Sequence, residues 1–276
     1  MKIVYIIVFC LFNSNAQAFD LPDWINYPFL DSGDNIRNKK VIDHSIGLAY
    51  QYGNIDFNPG NGISTGWHNT SSLGIITHAT LNLTSRLWFA STGFSTFLFA
   101  VNDSNTVSSP FGFNDEMNVV IGYDLWRIQK LDISFYTGFY KMGLNNYGQL
   151  NGHQMRLMAS FVGGVAGSQL TFYYDKAIIN FFAEMYLTYL VGYQSYGGHS
   201  THFANNSPAL GFGIGSVTEF HYNNNYWIKP LLKIQAMFAD NISSGTSYFN
   251  NTNGIANNGG LGIIYIATAG LGISWR

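Results

Sequence analysis

Several things that hold soluble proteins together are scarce in this chain. The only cysteine among its 276 residues is Cys10, which lies in an N-terminal stretch with the features of an export signal. A disulfide framework is therefore excluded. Charge is scarce as well: Asp, Glu, Lys and Arg make up 10% of the residues, against about 25% in soluble domains. With a formal net charge of −2 and no basic stripe, a nucleic-acid partner is not expected. Long hydrophobic runs are missing too. Ile3 to Phe12 is apolar but far short of the ~20 residues a membrane-spanning helix needs. Ala177 to Tyr193 and Leu87 to Val101 are short for a span, and as a helix the former would carry Asn180 and Glu184 into lipid. A charge at the bilayer centre costs about 2.5–3.5 kcal/mol.

Aromatics and glycine are abundant. Phe, Tyr and Trp make up 17% of the chain and 30 residues are glycine. Mean hydropathy is nonetheless close to zero, at +0.04. A chain with little charge and no overall greasiness is explained if its outside is apolar and its inside polar. A membrane barrel has that inversion.

Residues 1–18 carry Lys2, the apolar run and the small residues Ala16 and Ala18, the pattern of a cleavable export signal. Lys2 is the sole charge there, so its loss makes the remainder one unit more negative. Residues 19–40, with Trp24, Tyr27 and Phe29, are expected to form a periplasmic segment or an insert in the lumen. Residues 41–276 are expected to form the barrel.

Period-2 alternation recurs along that region. Leu261, Ile263, Tyr265, Ala267, Ala269, Leu271, Ile273 and Trp275 share one face. Gly262, Ile264, Ile266, Thr268, Gly270, Gly272 and Ser274 share the other. The segment resembles the C-terminal strand of Gram-negative outer-membrane proteins, which closes on an aromatic residue read by the barrel insertion machinery. Here Arg276 follows Trp275, a departure of one residue. The resemblance implies an outer-membrane location and, as partners, outer-membrane lipids and that machinery.

The same alternation runs from Ile42 to Tyr52, Glu116 to Leu125, Leu131 to Tyr140, Ile179 to Val191 and Ile228 to Phe238. Short connections are expected near Thr84-Ser85-Arg86, Arg127-Ile128-Gln129, Asp175-Lys176 and Asn223-Asn224-Asn225. Long polar loops are expected at 54–71, 101–115, 143–152, 195–208 and 240–259. Short turns alternating with long loops give an all-β, single antiparallel transmembrane barrel with the long loops extracellular. It has ten strands, or twelve if Gly163 to Gly167 hides a turn or Phe19 to Lys40 adds a strand.

The lumen face is predicted to collect Asp43, Glu116, Asp124, Asp132, Arg156, Glu184, Glu219, Lys229 and Lys233. A tight turn at Asn223 to Asn225 brings Glu219 beside Lys229. The turn near Ile128 brings Asp124 to Asp132, a like-charge pair that calls for Arg127, Lys130 or an ion. Arg156, Glu184, Glu219, Lys229, Lys233 and Glu116 are thus the lumen and selectivity candidates, either a charged constriction or the filling of a narrow barrel.

His68, placed in a loop by its polar neighbours, departs from the histidine-serine pattern of outer-membrane phospholipase A and lipid A deacylases. Thr70 stands where the serine is needed and no asparagine follows. His78 and His221 lack metal-ligand spacing, and His44 lies on the apolar face near a strand start. No catalytic residue, metal or cofactor is expected. Tyr50, Tyr52, Tyr123, Trp126, Tyr189, Tyr193, Tyr226, Trp227 and Trp275 are expected to anchor the barrel at the two interfaces. Three functions fit: a non-enzymatic surface protein binding a ligand or host surface, a narrow channel for small solutes, and a lipid-modifying hydrolase.

Overall fold

The computed structural model describes residues 42–57, 65–101, 108–128, 130–150, 153–174, 176–196, 199–202, 207–221, 226–239 and 262–275. The export segment, residues 19–40 and much of the expected loops lie outside the described residues. Every described element is a strand: β1 (Ile42–Phe57), β2 (Thr65–Asn82), β3 (Leu87–Val101), β4 (Ser108–Ile128), β5 (Leu131–Leu150), β6 (His153–Tyr174), β7 (Ala177–Tyr196), β8 (His199–His202), β9 (Ser207–His221), β10 (Tyr226–Ala239) and β11 (Gly262–Trp275).

Each strand pairs antiparallel with its neighbour in the chain, and β1 pairs with β11 over Ser45↔Ser274 to Phe57↔Gly262. The sheet is therefore closed into an up-and-down barrel of ten strands. The short β8 folds back on the end of β7, and β9 takes the next place beside β7. Closure gives the backbone polar groups of the wall partners within the sheet, which a segment in lipid requires.

The alternation sorts the side chains as the sequence indicates. Ile46, Leu48, Tyr50 and Tyr52 face outward and are exposed, while Ser45, Ala49 and Gln51 are buried in the lumen. Phe181, Met185, Leu187 and Tyr189 stand outside, and Tyr186, Thr188 and Leu190 inside. A closed sheet with an apolar exterior is a transmembrane barrel.

Three expectations are corrected. Several expected long loops are largely strand. The β5–β6 hairpin stays paired out to Leu150↔His153, and β1 stays paired with β2 out to Phe57↔Thr65. A membrane crossing needs about 9–11 tilted residues, so strands of 20 and 22 residues project beyond the bilayer. Outside lipid their polar residues carry no penalty. The outward pair Lys141–Asp115, 3.6 Å apart, lies on this projecting part.

There is no turn at Gly163 to Gly167. These residues pair continuously with Tyr140 to Tyr136 and with Thr188 to Glu184. The glycines reflect close approach: a Cβ on Gly167 would lie 2.4 Å from the Tyr136 ring, and one on Gly163 2.2 Å from the Leu187 carbonyl. The described barrel thus has ten strands, not twelve. His68, third, falls within β2 rather than a loop.

Candidate functional site in the barrel lumen

The lumen has two unlike halves. Toward the loop end, Ile55, Tyr140, Met142, Leu144, Phe161, Tyr186, Leu190, Met237 and Ile264 meet in one buried cluster. Tyr140 and Tyr186 are 0% exposed, with ring centroids 4.3 Å apart. Large side chains have room because glycine lies beside them on the neighbouring strand. A Cβ on Gly211 would meet the Met237 sulfur at 2.1 Å.

Toward the short turns, a cavity of about 560 Å³ is lined by charged, polar and aromatic side chains. Tyr174 and Trp227, at strand ends, mark its outer limit. In the orientation outer-membrane barrels adopt, this is the periplasmic side.

Two lysines organise the cavity. Lys233 Nζ lies 2.6 Å from Glu116 Oε1 and 3.4 Å from Glu184 Oε2. β4 and β10 stand five places apart in the ten-strand ring, so the Lys233–Glu116 pair crosses the full diameter. Glu184 also accepts from Tyr136 Oη (3.1 Å), from Asn118 Nδ2 (3.5 Å) and from the Tyr186 hydroxyl. Lys229, nearer the turns, is ion-paired to Asp43 and lies 3.2 Å from Glu219 Oε1. Such close pairing is what allows charges to be buried at all.

A third cluster sits at the base. A register shift between Asp124 and Trp126 marks a bulge in β4, which re-aims the following side chains. Arg127 consequently turns inward, and its Nη2 lies 2.8 Å from Asp124 Oδ2. Asp124 Oδ1 accepts from Trp88 Nε1 (3.0 Å) and Ser134 Oγ (2.8 Å). Asp132 accepts from Tyr173 Oη at 2.8 Å. The β2–β3 turn is shaped by Thr84, whose hydroxyl oxygen accepts from the N–H groups of Arg86 (3.1 Å) and Leu87 (2.8 Å). That turn buries Arg86, whose Nη1 is 3.4 Å from the Leu125 carbonyl.

Five of the six candidates from the sequence, Glu116, Glu184, Glu219, Lys229 and Lys233, come together around the cavity. Arg156 does not. Its pairing places it opposite Tyr147, on the outward set of β6, and its guanidinium stacks 4.6 Å from the Tyr147 ring centroid. The alternation there runs inward through Ala159, Phe161 and Val165, so Arg156 has the wrong parity for the lumen.

Trp227 also departs from the interfacial girdle. It lines the cavity, with its ring 4.9 Å from that of His221. Tyr50, Tyr52, Trp126, Tyr189 and Tyr226 are exposed on the outside. His78 shares a 2.8 Å hydrogen bond with Thr80 Oγ1 inside the cavity wall. The Thr70 hydroxyl donates to the Gly53 carbonyl at 2.8 Å, so it is engaged by backbone. Gln51, Asn118, Trp88, Tyr136 and Tyr173 are among the lumen residues outside the sequence candidates, and Arg86 is buried in the β2–β3 turn. For Gln51 and Asn118 the period-2 pattern already carried the signal.

No family model matches the chain, and no curated protein matches it. Among solved structures it is similar to the outer membrane protease OmpT from Escherichia coli, with a TM-score of 0.54 at 10% identity over 85% of this chain and 95% of that one. The translocator domain of the autotransporter NalP from Neisseria meningitidis aligns at a TM-score of 0.46 and 8% identity, over 88% and 91% of the two chains. The toluene transporter TodX from P. putida aligns at 0.38 and 8%, over 86% and 90%. At 10% identity the likeness to OmpT is one of fold alone. Together with the closed, outwardly apolar sheet, it defines the class: the protein has the fold of the Gram-negative outer-membrane β-barrels.

Proposed function

We propose that this barrel is a non-enzymatic surface protein, whose loop-end hairpins and connections engage a ligand or a host surface around a lumen that does not conduct. One observation carries this reading. Across the loop half of the lumen, Tyr140, Met142, Phe161, Tyr186, Leu190 and Met237 are each exposed by 2% or less. A hydrated ion at that level would have to shed water against walls that are mostly apolar, with Gln235 already bonded to Tyr140. The Lys233–Glu116 pair spans the diameter directly below, so the charged residues act as cross-struts rather than as a selectivity ring. The projecting strands, richly polar at their ends, supply a rigid stalk for surface recognition.

A channel for small solutes needs a continuous polar path, and the apolar layer speaks against one. A lipid hydrolase needs a histidine and a hydroxyl poised at a lipid-facing site. His78 and Thr80 are instead bonded to each other in the lumen wall.

The test is single-channel recording of the purified chain in planar bilayers. The reading expects no steady open level. A reproducible ohmic conductance would replace it with the channel reading.

A further inference from the structure

The β6–β7 wall of the turn-side cavity is uncharged and carries open hydrogen-bonding groups. Gln169 and Asn180 line it and are half-buried, with the buried Thr171 linking them. Asn180 Oδ1 accepts from Gln169 Nε2 (3.1 Å) and from the Thr171 hydroxyl (2.8 Å), whose oxygen in turn accepts from Gln169 Nε2 at 3.0 Å. These bonds use one end of each amide. The other ends, Gln169 Oε1 and Asn180 Nδ2, have no partner among the described residues and keep accessible surface. Asn180 shares the inward face of β7 with Glu184 and Tyr186, so that surface belongs to the cavity. Turning both amides over exchanges the two roles and leaves the same outcome. One acceptor and one donor stand on adjacent strands, open to the cavity.

A second observation is the aromatic ring beside them. Phe182 pairs with Gln169 on β6 and with Gly215 on β9. A Cβ on Gly215 would lie 2.4 Å from Phe182 Cζ, so the ring lies along the wall over the glycine. Its other face is turned to the cavity that it lines. Trp88 over Gly122 and Tyr136 over Gly167 repeat the arrangement around the same cavity. The lysines, by contrast, are committed: Lys233 to Glu116 and Glu184, and Lys229 to Asp43 and Glu219. An ion entering the cavity would have to displace one of these partners and leave a buried charge unpaired. An uncharged molecule leaves them all in place.

We infer that the turn-side cavity is a binding site for a small uncharged sugar, a mono- or disaccharide, entering from the short-turn side. A hydroxyl group both donates and accepts, so neighbouring hydroxyls answer the open Gln169 and Asn180 amide ends together. The C–H face of a sugar ring lies against the negative face of an aromatic ring, which Phe182 presents next to those amides. A purely apolar ring would fill the space and leave both amide ends without partners. The cavity reaches the strand ends at Tyr174 and Ile178, which flank the β6–β7 turn. Its volume of about 560 Å³ is within the range of small-molecule sites.

This goes beyond the surface role and does not depend on it, because the bilayer recording decides conduction and a binding measurement decides whether the cavity takes a sugar. The test is calorimetric titration of the full chain, folded in a detergent without a sugar headgroup. The probes are glucose, galactose, N-acetylglucosamine and maltose, with cyclohexanol and glucosamine as apolar and cationic controls. Saturable binding of at least one of these sugars at one site per chain is expected, tighter than either control. Gln169→Leu and Phe182→Leu leave the ion pairs in place, and each is expected to weaken binding about tenfold or more. A folded wild-type chain that binds none of the sugars overturns the inference. So does a control that binds as tightly as the best sugar, or sugar binding unchanged in both single variants.

Discussion

Lys233 on β10 meets Glu116 on β4 at 2.6 Å, across the whole width of the barrel and 117 residues apart in the chain. Glu184 closes the arrangement from a third strand at 3.4 Å. The lumen at that level is held by charge, while the level above is held by packing.

Removing Lys233 leaves two like charges, Glu116 and Glu184, facing each other in a buried site. Lys233→Met is expected to destabilise the fold by about 3–5 kcal/mol, as breaking buried pairs does. The triple variant Lys233→Met, Glu116→Gln, Glu184→Gln should recover most of that loss. Urea unfolding of the chain in lipid vesicles measures both. If the triple variant is no more stable than the single one, charge imbalance is not the cause.

The apolar layer predicts a gain of function. Replacing Met142, Phe161, Leu190 and Met237 together by alanine removes bulk from the layer proposed to close the lumen while leaving the wall strands intact. Steady single-channel conductance, absent from the parent, is the expected readout. A quadruple variant that folds and stays silent would put the seal elsewhere.

Close approach between neighbouring strands predicts a coupled pair. A Cβ on Gly122 would lie 2.2 Å from the Trp88 ring, so Gly122→Ala forces the indole aside and should cost about 1–3 kcal/mol. In a Trp88→Leu background the same change should cost markedly less. A double-mutant cycle with no coupling would contradict this account.

On the outside, depth should decide the effect of charge. Ile234 is 61% exposed on the lipid-facing set of β10, whereas Tyr226 opens that strand at the short-turn end. Ile234→Arg is expected to cost about 2–4 kcal/mol and Tyr226→Arg about 0–1. Equal costs in a vesicle unfolding assay would mean that Ile234 does not sit within the hydrocarbon.

Much of the wall was legible in the chain itself. Side chains alternate with a period of two in any strand, so the runs from Ile42 to Tyr52 and from Gly262 to Trp275 declare which side is outside without reference to their partners. Turn positions followed for a similar reason, since the breaks between runs are local. The pairing of Glu219 with Lys229 was within reach because a short connection fixes the register of adjacent strands.

The rest depended on closure of the ring. Parity says that Lys233 and Glu116 point inward, but only the count and order of strands make them diametric partners. Asn118 reads as an ordinary polar lumen residue; only the fold brings its amide to the Glu184 carboxylate, 66 residues away. Arg127 turned inward because a bulge in β4 reversed the alternation. Arg156 stayed outside because β6 runs unbroken where its glycines suggested a turn. The sequence by itself determined a membrane barrel, because an apolar exterior over a polar interior is a property of single strands. Only the tertiary structure decided that large side chains pack together on one side of the lumen and leave a cavity on the other. That depends on which side chains from distant strands meet across the axis.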